Sequence, residues 1–218
     1  MREVADPVSR LLDLSRRLET GMPVFPGDPP VELATAGAEP PWQVTLMRMG
    51  THSGTHIDAA SHYIPGGRTI DEYPLERFVL EAYVVRLDLE AETAISWEDI
   101  AAQLPGDVAG CAVVLHTGWD RFWGTDEAER HPSLSDAAAR RLAAGGVTLV
   151  GTDALNVDGT ARPTTFAHAA LLGADVLVVE NLTGLGRLDA GRPYRCAFVP
   201  LKVAGGDGSP IRAYAQID

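Results

Sequence analysis

Three of the six histidines and one aspartate fall within a single run of eleven residues, His52-Ser53-Gly54-Thr55-His56-Ile57-Asp58-Ala59-Ala60-Ser61-His62. Imidazoles and a carboxylate at this density, with no cysteine among them, form a donor set suited to Zn²⁺, Mn²⁺ or Fe²⁺. Three protein ligands leave a coordination position open for water, the pattern of a catalytic ion. Backbone geometry decides which of these side chains could act together. On a helix His52 and His56 share a face, but Asp58 points almost the opposite way. On an extended chain His56 and Asp58 share a face, and Gly54 supplies a bend that could fold His52 back toward them. The spacing therefore predicts a strand, or a strand end, carrying His56 and Asp58 just after a glycine turn. The competing reading is a polar, histidine-rich turn network without an ion. His168 and Glu180 could complete such a site, although seen alone each reads more simply as a helix-surface imidazole and a solvated strand-end carboxylate.

The elements that must position these residues are short. Residues 44–49, 83–89, 112–115, 147–150, 176–179, 197–203 and 211–217 are β-favourable runs. Ser96-Trp97-Glu98-Asp99 opens a capped helix running to about Leu104, Ser135 caps an Ala/Arg/Leu helix that stops at Gly145-Gly146, and 165–172 reads as a third helix. Clusters such as Pro26-Gly27-Asp28-Pro29-Pro30 and Gly205-Gly206-Asp207-Gly208 mark turns between them. The class is mixed α/β. With no repeat, low-complexity tract or Gly/Ser linker, one domain over residues 1–218 is expected. Local pattern leaves residues 11–18 open between a helical stripe and a strand.

The run HSGTHIDAASH, preceded by Gly21-Met22-Pro23-Val24-Phe25-Pro26-Gly27-Asp28 and followed by HAALLGADVLVVENL and VPLKVAGGDGSPIRAYA, resembles the cyclase family of metal-dependent hydrolases, which includes kynurenine formamidase-like and isatin hydrolase-like enzymes. The matching blocks span nearly the whole chain, and their order with HxxxHxDxxxH is far more specific than any one block. The resemblance implies a swivelling β/β/α fold, with a mixed sheet core and flanking helices, and makes 12–18 an early strand. It implies that His52, His56 and Asp58 are metal ligands, that His168 and Glu180 complete a second metal with Asp58 and Glu180 able to bridge, and that His62 is the catalytic acid/base. Phe25 stands where related formamidases often carry a substrate-contacting Trp, and Ala59-Ala60 replaces their usual small residue and Pro. A homodimer or homotetramer is also implied.

The activity expected on this basis is hydrolysis of an amide C–N bond, foremost that of an aryl-formamide, giving formate and an arylamine. One or two Zn²⁺ ions, with Mn²⁺ the alternative, would activate water, and His62 would move its proton to the leaving nitrogen. The alternatives are an isatin-type cyclic amide or lactone hydrolase using one Mn²⁺, and a non-catalytic metal-binding homologue, which would not need His62.

Composition narrows the field further. The 218 residues are 45% hydrophobic and 22% charged, ordinary globular values. Lys and Arg total 18 against 30 Asp and Glu, a net charge of −12, which disfavours a phosphate-tracking surface and hence nucleic acid. No apolar leader or membrane-length stretch is evident, so a cytoplasmic enzyme of a small-molecule substrate is expected, with no membrane partner. Cys111 and Cys196 form no CxxC and read as buried, inert thiols. There is no GxSxG elbow, and the glycine clusters lack the context of a phosphate loop. His116 follows a strand as a partly buried residue near the pocket at most, and His131, before Pro132 in an acidic loop, is expected to face solvent. Trp42, Trp119, Trp123 and Phe25 are read as pocket-lining or core aromatics.

Overall fold

The computed structural model describes residues 10–217. Among them thirteen strands form: β1 (Arg10–Asp13), β2 (Glu32–Ala36), β3 (Val44–Arg48), β4 (His56–Asp58), β5 (Val79–Arg86), β6 (Ala94–Ile95), β7 (Ala112–His116), β8 (Ser133–Leu134), β9 (Leu149–Thr152), β10 (Leu177–Glu180), β11 (Pro193–Ala197), β12 (Gly208–Pro210) and β13 (Tyr214–Ile217). Three α-helices accompany them, α1 (Trp97–Ala101), α2 (Asp136–Ala144) and α3 (Phe166–Gly173). Nine strands make one mixed sheet in the order β1-β13-β11-β5-β7-β9-β10-β4-β12. The four central strands β5, β7, β9 and β10 run parallel, and the sequences of β7, β9 and β10, AVVLH, LVGT and LVVE, are largely apolar runs because both sheet faces are covered there.

Alternate residues of these strands feed two cores. Val85, Val113, Leu115, Val150 and Val178 pack against the helices through Ile100, Ala138, Leu142 and Leu171. Val84, Val114, Leu149, Leu177 and Val179 face the other way and pack with Leu12, Leu14 and Phe198. Helix starts follow local chemistry. Ser96 and Asp99 form a reciprocal capping box on α1, and Ser135 Oγ accepts from the Ala138 amide at the head of α2.

Three expectations are corrected. The early strand is only Arg10–Asp13, not 12–18. Beyond it Asp13 Oδ1 accepts from the Ser15 amide and Ser15 Oγ donates to the Ala213 carbonyl, side-chain bonds that replace the ladder. The run 197–203 holds only the end of β11, because Pro200 lacks a donor and the chain leaves the sheet after Phe198 donates to the Phe78 carbonyl. Of the last run, 211–217, only Tyr214–Ile217 is strand (β13), and β12 (Gly208–Pro210) lies ahead of it.

Candidate metal centre

The three-residue strand β4 lies between two antiparallel neighbours. Against β10, Glu180 pairs with His56 and Val178 with Asp58; against β12, Gly208 pairs with Asp58. Strand alternation turns Ile57 into the core and leaves His56 and Asp58 on the opposite face. Gly54 precedes the strand at φ +64°, a left-handed conformation that favours glycine. Its carbonyl accepts the His56 Nδ1–H at 2.9 Å, which leaves Nε2 as the free donor atom toward the site. His52 returns across this turn, with Nδ1 2.7 Å from Asp58 Oδ1 and Nε2 3.1 Å from Asp207 Oδ2. Its ring passes so close to Gly208 that a Cβ there would sit 2.7 Å from His52 Cε1.

The second group arrives from α3 and β10. His168 Nδ1 donates to Asp158 Oδ2 at 2.9 Å, and the two oxygens of Asp158 also accept from the amides of Ala167 and His168. One buried carboxylate thus caps the helix and fixes the imidazole tautomer. Glu180 Oε1 accepts from the Val157 amide at 2.8 Å. Four N···O separations then define the centre: His56 Nε2 to Asp58 Oδ1 3.4 Å and to Glu180 Oε2 3.5 Å, and His168 Nε2 to Asp58 Oδ2 and to Glu180 Oε1, both 3.5 Å.

These distances are too long for hydrogen bonds. Ligand atoms about 2.1 Å from a shared tetrahedral ion stand roughly 3.4 Å from one another. Asp58 Oδ2 is buried with no hydrogen-bond partner, a costly state for a carboxylate unless a cation satisfies it. The side chains His52, His56 and Asp58, and again Asp58, His168 and Glu180, offer donor atoms within 4.8 Å of one another. The residues present fit one or two divalent ions on N and O ligands.

Electrostatics follow from the crowding. Burial opposes the charged form of His52, but Asp58 and Asp207 outweigh it and push its pKa up to about 9. Burial likewise opposes the His168 imidazolium, yet Asp158, Asp58 and Glu180 carry it well above the ordinary range. Burial and then Asp58 push Glu180 up to about 8. For Asp58 burial is overcome by His56, His168 and His52, which hold its carboxyl well below the usual carboxylate range. Burial lowers His56 and His62.

His62 ends the 3₁₀ turn Ala60–His62, its ring 3.9 Å from that of His52 and 5.7 Å from that of His168. With Phe25, Tyr63 and Asn181 it lines a cavity of about 350 Å³ whose wall also includes His52, His56, His168 and Glu180, a volume suited to a small ligand.

A family model described as "Putative cyclase" matches residues 12–159. The chain belongs to the cyclase family. It is similar to the kynurenine formamidase of Paracidovorax citrulli (strain AAC00-1), 34% identical over 211 residues that cover 93% of this chain and 94% of that one. Among solved structures it is similar to isatin hydrolase A from Labrenzia aggregata bound to benzyl benzoate, with TM-score 0.84, 26% identity and coverage of 98% of this chain and 96% of that one. It is also similar to the structure of a potential metal-dependent hydrolase with cyclase activity, with TM-score 0.79, 26% identity and coverage of 95% of this chain and 98% of that one.

In this cyclase-family chain, all six ligand and proton-carrier candidates, His52, His56, Asp58, His62, His168 and Glu180, meet at one centre, and Phe25 stands on the wall of the same cavity. Two acidic residues at the site escaped the sequence analysis, Asp158 and Asp207. The one local signal for Asp158 is the turn-forming string Asn156-Val157-Asp158-Gly159; its link to α3 is made by the fold, since eight positions separate it from Phe166. Tyr63 was missed as well; its ring is 6.4 Å from that of His168 at 26°.

Of the other expectations, the core role holds for Trp119 and partial burial for His116, whereas the solvent-facing His131 does not hold. His131 is 2% exposed, not solvent-facing: Nδ1–H donates to the Pro132 carbonyl and Nε2 accepts from Thr160 Oγ1, both at 2.9 Å, as the acidic loop folds back over it. Trp42 is exposed, Trp119 is buried with Nε1 donating to the Glu127 carbonyl, and Trp123 receives the Arg16 guanidinium 4.6 Å from its ring centroid. None of the three lines the cavity, and neither does His116, whose Nε2 lies 3.9 Å from Asp153 Oδ2. Cys196 is buried as expected, whereas Cys111 is only half-buried.

Proposed function

We propose that this cyclase-family enzyme hydrolyses the amide C–N bond of an aryl-formamide, releasing formate and an arylamine. The observation that carries the reading is the convergence of two N/O donor sets on Asp58, with His52, His56, His168 and Glu180 of those sets lining a cavity that Phe25 and Tyr63 share. The likeness to a kynurenine formamidase supports the aryl-formamide, and the ligand chemistry supports Zn²⁺, with Mn²⁺ the alternative. His52, His56 and Asp58 would hold one ion, and Asp58, His168 and Glu180 a second. Such an ion supplies Lewis-acid activation of water and of the amide carbonyl when bound.

The chain's own residues do the rest. The two buried carboxylates, Asp58 and Glu180, set the charge of the centre, while Asp158 and the Gly54 carbonyl hold the rings of His168 and His56 in register. His62 takes a proton from the attacking water and returns it to the nitrogen as the C–N bond breaks. Phe25 offers a flat apolar face to the substrate ring.

The test is a substrate panel on metal-analysed protein: an aryl-formamide, an aliphatic formamide and a cyclic amide. Turnover of the aryl-formamide with arylamine and formate in equal amounts supports the reading. A preference for the cyclic amide would favour the second reading, an isatin-type hydrolase, for which the likeness to isatin hydrolase A speaks. Metal binding without any turnover would leave a non-catalytic homologue.

The same reading includes a homo-oligomer and a reducing, cytoplasmic setting for the two free cysteines. β2 and β3 form a hairpin outside the main sheet, with every residue of β3 exposed. Trp42, Leu46 and Met47 stand 74%, 60% and 54% exposed, and an isolated hairpin is marginal in water. Its occupant is a second copy: Met47 continues into a groove whose apolar residues, Met49, Leu201 and Ile211, are flanked by Asp13, Arg16, Arg17 and Arg212, so each chain offers both an arm and a mixed apolar and charged groove to its partner. Sedimentation of Leu46→Lys tests this, monomers being expected where the wild type associates; an unchanged size would exclude the hairpin as the contact. Among the described residues no helix is long and apolar enough to cross a membrane.

A further inference from the structure

An imidazole that shuttles a proton works when one ring nitrogen faces the reaction and the other is held. His62 is 34% exposed at its side chain, and the short turn that carries it does not decide which nitrogen faces the cavity. The carboxylate at ion-pair distance from His62 among the described residues is Asp207, whose Oδ2 lies 3.6 Å from Nδ1. Asp207 is itself tied down. Its Oδ1 accepts from Thr51 Oγ1 at 2.8 Å, its carbonyl accepts from the Ala59 amide at 2.9 Å, and the next residue, Gly208, is the register partner of Asp58. The loop before β12 is thereby fastened to the chain on both sides of the ligand-bearing strand.

We propose that Asp207 is the positioning residue of His62, accepting a hydrogen bond from Nδ1–H and so presenting an unprotonated Nε2 to the cavity. The inference rests on His62 as the proton carrier. In that role Nε2 accepts the proton of the attacking water as the C–O bond forms, and gives it to the departing nitrogen as the C–N bond breaks. Asp207 takes no proton; it holds Nδ1–H through both the neutral and the imidazolium ring, so that the mobile proton enters and leaves at Nε2. The present 3.6 Å is longer than a hydrogen bond and closes by rotation of the partly exposed His62 ring toward the tethered carboxylate, a tightening common when substrate is bound. The rival role for the same oxygen is to orient His52, whose Nε2 is 3.1 Å away. Partners that orient a ligand affect ion affinity, typically by about 10- to 100-fold.

The two roles separate in the zinc-loaded full chain carrying Asp207→Asn. Positioning of His62 is expected to leave zinc affinity within about twofold of wild type and to lower kcat by about 10- to 100-fold, part of the 10²–10⁴-fold that general acid–base catalysis supplies, with KM little changed. The loss should grow as the leaving arylamine becomes more basic, and it should vanish in a His62→Ala background. Imidazole ¹⁵N spectra should show the Nδ1–H tautomer of His62 in wild type and a mixture in Asp207→Asn. A tenfold weaker zinc affinity with unchanged kcat at full loading would assign Asp207 to His52 and overturn the proposal. So would additive losses in the double variant or an unaltered tautomer. If wild type hydrolyses none of the amides the functional reading fails, and the nitrogen spectra still decide whether Asp207 sets the His62 tautomer.

Discussion

Glu180 and His56 are register partners across the antiparallel pair β10 and β4, and their side chains meet with Oε2 3.5 Å from Nε2. Residues separated by more than half the chain are brought together by sheet pairing itself, so the centre is built into the ladder.

Substitutions at this centre should separate ligands from the proton carrier. His56→Ala is expected to lose both bound metal and turnover. His62→Ala should keep its metal and lose about 10²- to 10⁴-fold in kcat. Metal analysis and steady-state kinetics on the same preparations check this, and equal metal loss in the two variants would make His62 a ligand.

Metal loading should release protons. With His52 pushed up to about 9 and His168 well above the ordinary imidazole range, both carry a proton at pH 7 in the ion-free chain, and an imidazolium cannot ligate. The apparent zinc affinity should therefore rise as pH increases from about 6 to 9, with more than one proton released per chain at pH 7. Chelator competition and an indicator dye in weak buffer measure the two quantities. An affinity independent of pH would remove His52 and His168 from the ligand set.

Phe25 lines the cavity between Val24 and Pro26 and is expected to favour aromatic over aliphatic formamides. An aromatic contact adds roughly 0.5–1.5 kcal/mol beyond burial, so Phe25→Ala should lower kcat/KM for an aryl substrate several-fold and leave an aliphatic one nearly unchanged. Equal losses for both would give Phe25 a role in the fold alone.

The two cysteines should differ in reactivity. Burial pushes the Cys196 thiol up to about 12 and leaves it 2% exposed, whereas Cys111 is half-buried. A thiol reagent at pH 8 is expected to label one cysteine in the native protein and two in denaturant, with peptide mapping assigning the first to Cys111.

What was legible in the sequence was local. The parity of His56 and Asp58, the bend at Gly54 and the caps at Ser96 and Ser135 depend on neighbours within four residues, and the structure has them as read. The parallel strands were visible because burial on both faces makes them largely apolar runs. Asp158 and Asp207 were not, because a carboxylate in a loop looks solvated until tertiary packing brings an imidazole to it. The same reason hid His131, whose acidic surroundings suggest solvent although its ring is enclosed by Pro132 and Thr160. The early strand, placed over 12–18 by the family resemblance while local pattern left it open, ends at Asp13 because the Ser15 side chain diverts the backbone, although Leu14 stays buried.

Strand β4 is hydrogen-bonded on both sides, to β10 and to β12, and this has a consequence for how the centre ages and exchanges. Ligands on a doubly paired strand are preorganised before any ion arrives, so an ion that leaves should leave a shaped vacancy and not a melted loop. Amide deuterium uptake at Ile57, midway between His56 and Asp58, then becomes a gauge of occupancy. Uptake there should be slow in the ion-free chain and slower still once an ion is bound, by the factor that mass action adds to the stability of the loaded state.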